Sequence, residues 1–197
     1  MTATRRKRLA KSLLVLVVLG LGWLGLKAVA GGAFAEPPAA DADGRFALER
    51  FFDGSSQSQG EIDTAYVSAE TFTADFTGTA TEESLALDER FHFAKGDRLQ
   101  RWTLAVRPGG RYAGTVETES GKGVLSAPVP VSGYKTADGV VLDYDGYAPG
   151  GGSLVLHFRH VMQAQPDGTV LNRVQVSKAG IPVAGARVVF SKPPTAP

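Results

Sequence analysis

Four polar side chains of this sequence stand where strand alternation places oily ones: Glu89, His160, Asn172 and Lys178. In an extended chain successive side chains point to opposite faces, so Leu85, Leu87, Glu89, Phe91 and Phe93 share one face. His160 shares a face with Leu154, Leu156, Phe158 and Met162, while Asn172 and Lys178 share one with Val170, Val174 and Val176. An unpaired charge buried among such groups costs several kcal/mol, so each of the four should have a partner. If these faces all turn inward, the four form one interior polar cluster. Three kinds of chemistry are open to it. The groups can satisfy one another and fix strand register, anchor a ligand's head group in a mostly apolar cavity, or run acid–base catalysis through Glu89 and His160. Nothing in the spacing brings the last two within hydrogen-bond reach of each other. Arg101, Trp102 and Arg173 fall on the opposite parity from the apolar faces around them and are secondary candidates, with Trp102 open to a plain packing role.

Other chemistries lack their residues. There is no G-x-S-x-G, no H-E-x-x-H and no Walker-type loop, so hydrolase and nucleotide readings have no motif to stand on. His157-x-x-His160 has helical metal spacing, but on a strand the two rings face opposite ways. Gly150-Gly151-Gly152 follows Pro149 and precedes a strand, whereas a phosphate cradle needs a helix start next, so it reads as a turn or hinge. With no cysteine, disulfides and thiol metal sites are excluded. The expectation is a protein without catalytic residues, metal or cofactor.

The elements that would position the polar groups are strands. Short alternating runs recur between Gly, Asp, Asn or Pro clusters, and no 3.6-residue period lasts more than two turns. The best runs are 71–79, 85–94, 99–107, 111–119, 140–147, 154–162, 170–178 and 183–192, with weaker ones at 46–52, 60–68 and 124–135. Turns at Lys95-Gly96-Asp97, Pro108-Gly109-Gly110, Ala137-Asp138-Gly139 and Pro166-Asp167-Gly168 carry residues that tolerate positive φ. Some 9–11 strands joined this way predict an all-β antiparallel barrel or incomplete barrel, since closure removes the exposed sheet edges.

A different pattern occupies the start of the chain. Arg5, Arg6, Lys7, Arg8 and Lys11 precede the uncharged, Leu- and Val-rich stretch 12–26, the order of an export signal. That stretch is short for a bilayer, and a spanning helix would have to continue past Lys27 toward residue 35. Ala33-Phe34-Ala35 is a small-residue cleavage site, with Ala28-Val29-Ala30 as a second. Residues 1–35 are therefore read as a signal peptide or an N-terminal membrane anchor helix, 36–43 as a linker, 44–193 as the barrel and 194–197 as a tail. Either way the body crosses, into the periplasm or cell envelope. Residues 36–197 hold 15 basic against 20 acidic side chains, which gives a nucleic acid no electrostatic footing.

Phe52-Asp53-Gly54, then Leu87-Asp88-Glu89-Arg90-Phe91-His92-Phe93 with Gly96-Asp97, Arg101-Trp102, Tyr112-x-Gly114, Gly121-x-Gly123, Met162, and Leu171-Asn172-Arg173 with Lys178-x-Gly180 follow one another in a telling order. The set resembles the bacterial family catalogued as domain of unknown function 3833, over roughly 46–190. The resemblance implies a lipocalin-like envelope protein with no assigned activity, and for Trp102 a lipocalin-type cap of one barrel end over an arginine. Two positions differ from the family pattern: no Cys stands at the signal junction, and His160-Val161 precedes Met162 where an acidic-Trp pair is expected. The leading expectation is an exported, non-enzymatic barrel binding a small apolar or amphipathic molecule, such as a lipid. An envelope interaction or scaffold module with a solid barrel and partner-touching loops is the alternative, and an envelope enzyme acting through Glu89 a further one.

Overall fold

The computed structural model describes residues 36–64, 68–119 and 123–193. The segment 1–35, with the export signal and both cleavage sites, lies outside the described residues, as does the 194–197 tail. Among the described residues no helix is long and apolar enough to cross a membrane.

Ten antiparallel strands close into a barrel in simple chain order. They are β1 (Gly54–Thr64), β2 (Ser68–Ala80), β3 (Ser84–Phe93), β4 (Gly96–Arg107), β5 (Arg111–Thr118), β6 (Val129–Lys135), β7 (Gly139–Gly146), β8 (Leu156–Ala164), β9 (Val170–Lys178) and β10 (Ile181–Ser191). β1 pairs with both β2 and β10, so none of the ten described strands presents an unpaired edge. Side chains alternate inward and outward along the strands. In β3 the buried residues are Leu85, Leu87, Glu89, Phe91 and Phe93, the face the alternation predicts.

One weak run is not a strand. Residues 46–52 hold a short helix, α1 (Leu48–Phe52), instead of extended chain. Phe51 and Phe52 are adjacent, which breaks period two, whereas Leu48 and Phe52 are four residues apart and fall on one helical face. That face enters the barrel: Leu48 and Phe52 are both 2% exposed. Phe52 packs against Phe76 and Phe190 with ring centroids 5.2 and 5.3 Å apart. Gly78 of β2 makes the close approach possible, because a Cβ there would sit 1.9 Å from the Phe52 carbonyl oxygen. α1 therefore plugs the barrel end that carries the β2–β3, β4–β5, β6–β7 and β8–β9 turns. Residues 36–47 contribute to that end through Asp41 N–H donating to Lys135 O and Arg45 N–H to Ala137 O.

The opposite end carries the longer connections. β6 begins at Val129 and β8 at Leu156, later than the alternation suggests, so Val124, Leu154 and Val155 stand in exposed loops. Ile181, just past the tight Ala179-Gly180 turn, is exposed at the same end.

Candidate functional site

Three of the four polar residues singled out by alternation meet inside the barrel. Glu89 on β3, His160 on β8 and Asn172 on β9 all line one interior cavity. Its other walls are apolar or aromatic, including Leu48 and Phe52 of the plug and Leu87, Trp102, Met162 and Phe190 of the strands. The cavity is about 40 Å³, room for a few waters at roughly 10–15 Å³ each. A drug-sized ligand occupies roughly 300–1,000 Å³. Anything larger than water must therefore displace part of the lining.

Glu89 is fully enclosed, with Trp102 Nε1–H donating to its Oε2 at 3.2 Å. Loss of hydration dominates over that single hydrogen bond and pushes the carboxyl up to about 8, so at neutral pH it is mostly the uncharged acid. His160 is part-buried as a residue, yet its Nε2 is shut off from solvent and finds no hydrogen-bond partner. Burial holds the imidazole down at about 4, so it too is uncharged. Asn172 Nδ2–H donates to His160 Nδ1 at 3.1 Å, while Asn172 Oδ1 is buried without a partner. The His160 ring stacks on Tyr144 at 5.7 Å and meets Trp102 edge-on at 5.8 Å. The arrangement is thus three uncharged hydrogen-bonding groups around one space, two of them with a spare buried polar atom.

Lys178 does not join them. It is exposed at the end of β9, where its Nζ donates to Val155 O at 2.6 Å. The parity of β9 is right, but the last inward position of the strand lies beyond the packed interior and reaches water. Arg101 also faces out, pairing its Nε with Asp88 Oδ1 at 2.8 Å. Arg173 likewise lies on the outward parity of β9 and is part-buried. Trp102 corrects the parity assigned to it: it shares the inner face of β4 with Gln100 and Leu104 and is 5% exposed. It sits in the cavity wall bonded to Glu89, so it does not cap an arginine at a barrel end.

Alternation missed further interior polar groups. Gln100, 1% exposed, donates to Thr118 Oγ1 at 2.9 Å and lies 3.5 Å from Tyr144 OH. Glu49 of α1 accepts from Tyr112 OH at 2.9 Å, and the same hydroxyl accepts from Leu48 N–H at 3.4 Å. Tyr112 thereby latches the plug to β5. Ser56 and Ser58 place unpartnered hydroxyls inward from β1. Small polar residues on a strand carry no alternation signal, so nothing in the sequence distinguished them. His92 and His157 each bridge two aspartates on the surface, His92 between Asp75 and Asp97 and His157 between Asp143 and Asp145. Among the described residues no group of three or more His, Cys, Asp or Glu could hold a metal ion.

Among solved structures the chain is similar to the crystal structure of Rv2717c from M. tuberculosis, with a TM-score of 0.51 and 14% identity. The match covers 73% of this chain and 93% of that one, and at this identity it shows a shared fold alone. No curated protein matches the sequence. The family model for proteins of unknown function, DUF3833, matches residues 33–192, nearly the whole described body, and this ten-stranded barrel belongs to that family.

Proposed function

We propose that the protein is an exported, non-enzymatic binding module of the cell envelope that receives a small amphipathic molecule, such as a lipid, in its barrel. The observation that carries this reading is the meeting of Glu89, His160 and Asn172 on one interior cavity, with His160 Nε2 and Asn172 Oδ1 left unsatisfied by the protein. Buried polar atoms without partners are rare in folded proteins, and each calls for an explanation such as a bound group. The apolar remainder of the lining suits a hydrocarbon chain. Because the cavity is small as it stands, binding requires α1 to withdraw Leu48 and Phe52, and the plug is a short element held at its start by Tyr112. Export is supported by the basic cluster at residues 5–11 and the uncharged stretch 12–26, which follow the order of an export signal that would deliver the barrel beyond the membrane, anchored or released.

Purification from its own cell envelope, followed by solvent extraction and mass spectrometry, tests this reading. An acyl compound recovered in stoichiometric amount is the expected result. An extract holding no small molecule would favour the second reading, a solid barrel that works through its surface. One observation supports that alternative: Val124, Leu154, Val155 and Ile181 are exposed on the connections at the end opposite the plug, where a partner would meet apolar side chains.

A further inference from the structure

What keeps α1 helical lies outside α1. Ala47 at its N-cap makes no side-chain capping bond, and the Leu48 N–H instead donates to the hydroxyl of Tyr112, which reaches in from β5 at 3.4 Å. That hydroxyl is fixed in turn by donating to Glu49 Oε2 at 2.9 Å. Tyr112 therefore does for the first turn what a capping side chain does in most helices. The rest of the support is the packing of Leu48 and Phe52 into the barrel end. A helix of five residues does not persist in water by itself. Lifted off the barrel, α1 loses its cap and its packing together, so its withdrawal is a local unfolding step rather than the swing of a rigid plug.

The chain on each side of α1 is tied to the barrel. Before it, Arg45 N–H donates to Ala137 O at 3.2 Å. After it, Asp53 Oδ1 accepts from Ala80 N–H at 3.1 Å, Asp53 O accepts from Lys192 Nζ at 2.6 Å, and Gly54, at φ 74, opens β1 opposite Gly78. The stretch between Arg45 and Gly54 reaches roughly 25–30 Å when extended. That contour lets Leu48 and Phe52, both of which line the cavity, leave the barrel while the ties hold. The far end of the interior is shut differently, by the rings of Phe72, Phe91 and Phe93, which pack on one another at 5.4–5.6 Å from the paired strands β2 and β3.

Resting on the interior-binding reading above, we propose that residues 46–53 are a flap tied at both ends, which admits the ligand when α1 unfolds and is held shut by the Tyr112 hydroxyl. Tyr112 is a positioning residue: it sets how often the cavity opens and does not touch what enters.

Two readouts on the full chain in phosphatidylcholine nanodiscs test this. The first is amide hydrogen exchange, comparing the Phe51 N–H, bonded to Ala47 O, with the amides of β3 and β9. Phe51 is expected to exchange at least about a hundredfold faster, through an opening that urea below the unfolding transition does not promote. Equal protection with the same urea dependence would make α1 a fixed part of the core and overturn the proposal.

The second readout is binding of dodecanol, followed by the emission of Trp102 in the cavity wall, in a Trp23→Phe background that leaves it the only indole. Tyr112 does not line the cavity, so Tyr112→Phe removes the latch without altering the lining. A ligand that enters only the opened form binds with an affinity scaled by the open fraction. Loss of the hydroxyl raises that fraction about tenfold. Tyr112→Phe should thus be the less stable protein and yet bind dodecanol about tenfold more tightly, through faster association with dissociation unchanged. Glu49→Gln keeps an acceptor for the hydroxyl and should stay closer to the parent. Unchanged affinity in Tyr112→Phe would overturn the latch while interior binding stands. If Phe51 exchanges locally but dodecanol binds to none of these proteins, the interior-binding reading falls and the gating role with it. Should Tyr112→Phe not fold, the exchange comparison on the parent chain decides the matter alone.

Discussion

Replacing Glu89 by Gln is expected to flatten the pH dependence of stability above pH 6.5. The folded carboxyl titrates near 8 against an ordinary value of 4.5, because burial penalises its charged form. The folded state therefore holds the proton more tightly. The stability this contributes is complete below pH 4.5 and is lost as pH rises through 8. His160 acts in the opposite sense: its folded value of about 4 lies below 6.5, so its contribution is present above 6.5 and lost as pH falls toward 4. Between 4.5 and 6.5 the two slopes oppose each other. From 6.5 to 8 only Glu89 of this pair titrates, and one proton gives a slope of about 1.4 kcal/mol per pH unit, or about 2 kcal/mol over the window. His92, raised by its hydrogen bonds to Asp97 and Asp75, slopes the same way, but it lies on the solvated surface and its share is screened. The Gln variant keeps His92, so the difference between the two proteins isolates Glu89. Urea denaturation at pH 6.5 and 8 measures it. The amide oxygen still accepts the Trp102 N–H, so the variant should fold, lose the downward slope and be the more stable protein at pH 8. An unchanged slope would place the titrating group elsewhere.

Truncation of the plug is the second large effect. Phe52 is 2% exposed, its ring meets those of Phe51, Phe76 and Phe190, and it lines the cavity. Phe52→Ala removes the ring and leaves a void that the closed barrel cannot collapse to fill, a loss of about 3–5 kcal/mol. The same change enlarges the cavity that Phe52 lines. A stability loss under about 1 kcal/mol would mean that α1 does not seat in the barrel.

The barrel was legible because period two survives in most strands: β3 and β9 carry their inward faces almost without interruption. β4 was misread because Gln100 interrupts its inner face while Leu99, on the other parity, supplies a competing apolar residue. The register that puts Trp102 opposite Leu87 on β3 and Val116 on β5 settles it, and that is a tertiary fact. Glu89, His160 and Asn172 were found because long apolar neighbours flank them on their own strands. Lys178 passed the same test and failed in the fold, since alternation reports which face a residue takes but not how far the packed interior extends. The α1 plug was hidden by its length. Five residues hold little more than one helical turn, too few for a 3.6 period to stand out, and what keeps them helical is packing of Leu48 and Phe52 into the barrel end. The Tyr112–Glu49 contact joins residues 63 apart and has no local signature at all.

All of the functional reading depends on His160 and Asn172 turning their spare polar atoms toward something other than protein. A high-resolution crystal structure of the protein isolated from its own envelope and never exposed to detergent examines that directly. Electron density continuous from the His160–Asn172 pair toward the plugged end, with Leu48 and Phe52 swung away, is the predicted result. A seated α1 over nothing but a few isolated waters would contradict it.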